Sequence, residues 1–177
     1  MLFDGPELAK TAANHTPLSP VSILKRVERV HPNLPAQVHG RIRRNWGEVA
    51  ARCKRLASAL AKRGVSKGDT VALIAPNIPE ALECALAVPM LGAVLNANNM
   101  RLEANTLGYI LEHGEASVLL VDTEFSAVAA EAVQLSGRDL LVIDIEDPEG
   151  PGGACIGALS YEALLAEGGL IRTPDDG

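Results

Sequence analysis

The chain has 177 residues, a net charge of −6 and a sequence pI near 5.2. That balance excludes a chain-wide nucleic-acid surface, which needs a basic stripe, and the two signs of charge are interspersed as on a solvated surface. The length suits one domain with a real core, and a composition 47% hydrophobic but only 3% aromatic suits α/β layers better than a β-sandwich.

The opening MLFDGPELAK has no basic start and no apolar segment, so a secretory signal is not expected. Residues 1–17 lack periodicity and read as an arm, lying on the domain or disordered. The folded unit is expected over 18–167. Ser19 caps a first helix, Pro20 suits its first position, and Ile23, Leu24, Val27 and Val30 give it an apolar stripe before His31-Pro32 stops it. Residues 36–44 read as a small β-ribbon turning at Gly40, basic on its second arm through Arg41, Arg43 and Arg44. Asn45-Trp46-Gly47-Glu48 has the form of a capping box and opens a helix over 49–63, ended by Gly64.

The stretch 70–121 alternates strand and helix. Residues 70–75 are β-branched and apolar and end at Pro76. Asn77 is then expected to cap a helix, with Glu80 closing a capping box. Leu82, Ala85, Leu86 and Met90 keep helical spacing, Pro89 should kink the helix, and Gly92 sits where a left-handed residue is wanted. A short strand over 93–96, a helix over 103–113 ended by Gly114, and a strand over 117–121 follow. A helix over 126–135, a strand over 140–145, a loop over 146–157 and a short helix capped by Ser160 complete the pattern, and 168–177 reads as a loose tail. Apolar strands alternating with helices imply parallel strands joined by right-handed crossovers. The fold class is therefore α/β, a layered parallel sheet with helices on both faces.

Candidate site residues gather where such sheets bind ligands, at the carboxyl ends of strands. Asp122 ends one strand and reads first as a helix cap, with a site role as the alternative. Asn96, Asn98 and Asn99 follow another, with Arg101 just after; they read as loop chemistry, although Arg101 could hold a phosphate. The glycine-rich run 150–157 lacks the phosphate-loop chemistry, because Ala158-Leu159 stands where Lys and Ser/Thr are needed. Cys155 occupies the third glycine position of a dinucleotide fingerprint, so that reading fails too. Cys53, Cys84 and Cys155 are far apart and odd in number, which points to unpaired thiols in a reduced, cytoplasmic protein. The four histidines form no ligand pattern, and no metal site is expected. The uncharged run 84–100 is broken by Pro89, Gly92 and three asparagines and is too short for a membrane span.

Three pieces, 16–36, 45–102 and 107–125, resemble the amino-terminal part of the acyl-adenylate-forming (AMP-binding) enzymes. Residues 46–59 look like that superfamily's first core motif and 90–96 like its second, around Gly92-Ala93. The wording VPMLGAVLN…RL…LEHGEASVLLVD is most similar to fatty-acyl-CoA ligases and plant acyl-activating enzymes. The resemblance implies the amino-terminal subdomain of the adenylate-forming fold. It implies an intact ligase that joins a carboxylate, a fatty acid by wording, to AMP and passes the acyl group to CoA, using ATP and magnesium. The family's loop TSGTTGxPKG and its later motifs do not occur, so the chain is expected to stop before the ATP-phosphate loop and to be inactive alone, with no cofactor bound. Arg101 fits the place of an arginine that meets the phosphate of CoA in some members; an arginine that merely bridges its loop is the other reading. An amino-acid adenylation domain loading a carrier protein, or a stand-alone interaction module of the same fold, are alternative functions. Partners implied are the carboxylic acid, CoA, the rest of the ligase and a second copy, because apolar surface is expected to be left exposed.

Overall fold

The computed structural model describes Thr11, His15 and residues 19–169. The expected arm over 1–17 and the tail after Gly169 therefore lie almost wholly outside the described residues. Helix α1 (Pro20–Val30) starts as expected: the Ser19 hydroxyl accepts the Ser22 N–H at 3.2 Å, and Ser22 reciprocates at 3.2 Å. Its expected apolar stripe is narrower than the spacing suggests. Leu24 is buried, but Ile23 and Val30 are about half exposed, at 51% and 49%. Strands β1 (Pro35–His39) and β2 (Ile42–Asn45) pair antiparallel as the expected ribbon, turning at Gly40 with φ +48°.

Helix α2 (Trp46–Lys62) opens three residues before the expected start, directly after its cap. The Asn45 side chain accepts the Glu48 N–H at 2.9 Å and the Glu48 carboxylate accepts the Asn45 N–H at 2.8 Å. Strand β3 (Thr70–Ile74) leads to α3 (Pro79–Met90), and here the expectation fails. The cap is Ile78, extended at φ −106° and ψ 165°, with no side-chain hydrogen bond, and not Asn77. Pro79 explains this: its ring disfavours helical geometry at the residue before it, while its own fixed φ suits the first helical position. Glu80 is thereby turned inward and buried instead of closing a box. Pro89 falls in the last turn of α3, one residue from its end, not in a mid-helix kink. Gly92 follows with φ +68°.

Strand β4 (Val94–Ala97), α4 (Ala104–His113), β5 (Ala116–Asp122), a 3₁₀ turn at Thr123–Phe125, α5 (Ser126–Ser136) and β6 (Leu141–Ile145) keep the expected order. A two-residue strand β7 (Leu159–Ser160), too short to show a pattern, precedes α6 (Tyr161–Glu167). The strands form one five-stranded sheet in the order β4-β3-β5-β6-β7, every neighbouring pair parallel.

Alternation along the central strands divides the core. Val71 and Leu73 of β3 and Val118 and Leu120 of β5 face a cluster with α1, α2, α3 and α6. Ala72 and Ile74, with Leu119 and Val121, face α4 and α5. Side chains of period two on strands buried on both faces produce this split. The chain leaves β3 toward β4 on one side and leaves β5 toward β6 on the other. The crevice between the carboxyl ends of β3 and β5 is thus the topological switch point, where open α/β sheets take ligands. Among the described residues no helix is long and apolar enough to cross a membrane.

One buried charge fastens the elements of the first layer. Glu83 on α3 is fully buried, at 0% exposure. It accepts from Arg52 Nε of α2 at 2.8 Å, from Arg44 Nη1 of β2 at 3.0 Å and from the Tyr161 hydroxyl of α6 at 2.8 Å. Arg44 also donates to Gln37 Oε1 at 3.3 Å, and Gln37 Nε2 donates to the Pro79 carbonyl at 3.0 Å. Arg52 extends to Glu162 at 3.1 Å and lies 5.8 Å from the centroid of the Tyr161 ring. Removing one member of a buried ion pair strands the others without a partner, typically at a cost of about 3–5 kcal/mol. Glu83→Ala is therefore expected to lower unfolding free energy by about 3–5 kcal/mol, read as a fall in the urea midpoint at unchanged slope; an unchanged midpoint would show that the cluster is not structural.

Candidate functional site

The carboxyl edge of the sheet carries the residues that sequence reasoning singled out. After β4, the loop is tied by its own asparagines. Asn98 N–H donates to the Leu73 carbonyl at 2.8 Å, Asn98 Nδ2 donates to the Asn96 carbonyl at 3.0 Å, and the Arg101 N–H donates to Asn99 Oδ1 at 3.0 Å. The loop reading of Asn98 and Asn99 is thus what their geometry shows. Arg101 is different. Its side chain is exposed and makes no hydrogen bond or ion pair among the described residues. An unengaged guanidinium at the end of a parallel strand has the donor fork a phosphate needs.

Asp122 stands at the end of β5, on the other side of β3 from Arg101. It caps the 3₁₀ turn, Oδ1 accepting the Glu124 N–H at 2.8 Å. Its second oxygen, Oδ2, is buried without a hydrogen-bond partner among the described residues, in a residue only 2% exposed. Burial pushes this carboxyl above the ordinary range, the Asp147 and Glu124 charges adding to the effect, while the bond from the Glu124 N–H opposes it. Both sequence readings of Asp122 therefore have a part: one oxygen caps and the other is free.

The loop after β6 lies against this edge. Asp144 holds its far end, accepting the Ile156 N–H at 3.1 Å and the Gly157 N–H at 2.8 Å. Gly153 packs so closely on the Thr123 carbonyl that a Cβ there would collide with it. Asp147 holds the near end, accepting the Glu149 N–H at 3.0 Å and bonding His39 Nε2 of the ribbon at 2.8 Å. Sequence reasoning missed this pair, 108 residues apart, because nothing local announces it. It missed Glu83 too, although a charge placed one turn before buried Ala87 on α3 is a visible signal. Cys53 and Cys84 are buried free thiols, pushed up by burial, and Cys155 is an exposed one.

The ends of β5 and β6 do not suit the phosphates of ATP. Acids crowd the ends of β5 and β6, namely Asp122, Glu124, Glu146, Asp147 and Glu149. That is the wrong sign for a polyphosphate. Among the described residues no three His, Cys, Asp or Glu side chains are grouped to hold a metal ion.

The model of the family described as AMP-binding enzyme matches residues 24–156. The chain belongs to the AMP-binding enzyme family. Its similarity to acetate/butyrate–CoA ligase AAE7, peroxisomal, of Arabidopsis thaliana is 42% identity, covering 93% of this chain and 31% of that enzyme. To benzoate–CoA ligase, peroxisomal, of the same plant it is 39% identical, covering 92% of this chain and 29% of that one. The chain thus spans under a third of the length of these AMP-binding relatives. The crystal structure of a benzoate CoA ligase from Burkholderia xenovorans LB400 shares the fold at a TM-score of 0.76 and 18% identity, covering 90% of this chain and 30% of that one.

These relatives correct two expectations. A cytoplasmic location is not upheld, since both plant enzymes are peroxisomal. Unpaired cysteines report the redox state of a chain and do not separate one reducing compartment from another. A fatty acid is also too narrow a reading, because the AMP-binding relatives act on acetate, butyrate and benzoate.

The orphaned oxygen has a consequence for stability. A carboxyl raised on folding contributes stability that is full in acid and lost as the pH rises through the raised value. Asp122→Asn keeps the cap and cannot ionise. It is expected to be more stable than the parent by about 1–3 kcal/mol near neutral pH, with the difference vanishing below about pH 4. Urea denaturation across that range measures it, and a variant less stable near neutrality would contradict the assignment.

Proposed function

We propose that this chain is the amino-terminal α/β portion of an acyl-CoA ligase. In this reading the intact ligase joins a carboxylic acid to AMP, releasing pyrophosphate from ATP, and then transfers the acyl group to the thiol of CoA. The observation that carries it is 42% identity to an acetate/butyrate–CoA ligase over 93% of the chain. That the relatives named above act with CoA favours CoA over a carrier protein as acceptor.

The described residues are then scaffold for most of the reaction. ATP and magnesium are held by other parts of the ligase, since acids line the edge where a triphosphate would lie, and the chain alone is inactive. CoA is another matter. Arg101, exposed and unengaged at the end of β4, is proposed to pair with the nucleotide phosphate of CoA. Its N–H bond to Asn99 fixes the backbone of the loop and leaves the guanidinium to the ligand. Bound CoA supplies the thiol that accepts the acyl group. Apolar side chains left at the surface, Leu34, Val38 and Leu82 among them, support contact with further protein, either the remainder of the ligase or a second copy.

Arg101→Ala in the intact ligase should raise KM for CoA by about tenfold, the loss of one charge-assisted contact. Acid-dependent ATP–pyrophosphate exchange, which needs no CoA, should stay as in the parent. An unchanged KM for CoA would remove Arg101 from the site.

A further inference from the structure

The charges that look interspersed along the chain are sorted by segment. Residues 19–67 carry twelve Lys and Arg against two acids, Glu28 and Glu48. Residues 68–169 carry two, Arg101 and Arg138, against sixteen. The fold turns this order into two faces. Helices α1 and α2 belong to the layer on one side of the sheet, and α4 and α5 to the layer on the other. On and between α4 and α5 stand Glu112, Glu115 and Glu131. In the first layer the acids are already engaged: those of α3 and α6 by Arg44, Arg52 and Arg63, and Glu28 by Lys54. The side chains of Arg26, Arg29, Arg41, Arg55 and Lys67 make no hydrogen bond or ion pair among the described residues.

Helix α1 is where this surplus charge meets apolar surface. The helix rests on α2 and α3 and buries Leu24. It leaves Ile23 and Val30 about half exposed, and Arg26 and Arg29 exposed as well. Positions three, four and seven apart share a side of a helix, so Ile23, Arg26 and Val30 form one outward face, with Arg29 at its edge.

We propose that this outward face of α1 is a docking surface for an anionic lipid bilayer, with Ile23 and Val30 entering the headgroup region and Arg26 and Arg29 pairing with the acidic groups of the lipids.

The complementarity is of charge and of polarity together. A helix that lies in a bilayer surface sinks an apolar edge among the headgroups while basic residues beside it meet anionic lipid. Each such residue strengthens binding about fivefold. The sorted charge also orients the approach. A net charge of −6 taken as a whole opposes contact with a negative surface, but the basic layer is drawn to it and the α4–α5 layer is turned away. A nucleic acid is less well matched, because strand-binding platforms set aromatic rings among their cations and α1 has none. A second copy is less well matched too, because a basic face on an acidic face joins head to tail without closing.

Co-sedimentation of the full chain with vesicles tests the proposal. Phosphatidylcholine vesicles with about 30% phosphatidylserine should retain the chain, and phosphatidylcholine alone should not. Arg26→Ala with Arg29→Ala should weaken retention about 25-fold, at about fivefold for each charge. Ile23→Ser with Val30→Ser should weaken it about tenfold, each losing roughly half the transfer of an aliphatic side chain. Tyr109→Ser, which removes an exposed ring from α4 on the opposite layer, should leave retention unchanged. The proposal is overturned if vesicles with and without phosphatidylserine retain the chain alike or not at all, if either double variant binds as the parent does, or if Tyr109→Ser weakens binding as much as they do. Retention on a single-stranded oligonucleotide but not on vesicles would overturn it as well. So would self-association that Ile23→Ser with Val30→Ser abolishes while vesicles retain nothing.

Discussion

The layer of helices on one side of the sheet depends on a carboxylate with no access to water. Glu83 accepts hydrogen bonds from β2, α2 and α6 at once. A bare charge so placed would be prohibitive, and three donors from three elements make it tolerable. The same need fixes where those elements sit. Arg44 can reach Glu83 only if the ribbon lies against the start of α3, a position that Gln37 reinforces by donating to the Pro79 carbonyl. Tyr161 can reach it only if α6 packs over β6 and α2. The ribbon so held presents His39 to Asp147, and the shape of the carboxyl edge follows from a charge buried elsewhere.

The sheet itself rests on simpler physics. Val71, Leu73, Val118 and Leu120 fill one layer and Ala72, Ile74, Leu119 and Val121 the other, by alternation alone. That pattern is plain in the residues, as are the caps at Ser19 and Asn45 and the ribbon turning at Gly40, because each is decided by neighbours within a few positions. The start of α3 is also a local matter, but Asn77 looks like a better cap than Ile78 until the restriction that Pro79 imposes on its neighbour is applied. Strand β7, two residues long, carries no periodicity to read. The contacts of His39 with Asp147 and of Glu83 with Tyr161 span 108 and 78 residues and exist only once the layers have formed.

The candidate site was legible to the same extent. Strand ends are predictable from strands, so Arg101 and Asp122 fall at the carboxyl edge that the residues imply. What each side chain meets there is not legible in them. Asp122 proved to be both cap and orphan, and the Arg101 guanidinium makes no hydrogen bond or ion pair among the described residues. The family is written in contiguous stretches, so resemblance found it; acid specificity and cellular address are not written in the residues that build this sheet.

The central claim is that these residues form a scaffold whose acidic β5 and β6 ends do not hold the phosphates of ATP, with the adenylating chemistry proposed for other parts of a ligase. Pyrophosphate release is the direct measurement: the purified 177-residue chain is incubated with ATP, magnesium and a panel of short aliphatic and aromatic acids. The account predicts release no faster than in the absence of protein, while acid-dependent release by the chain alone would contradict it.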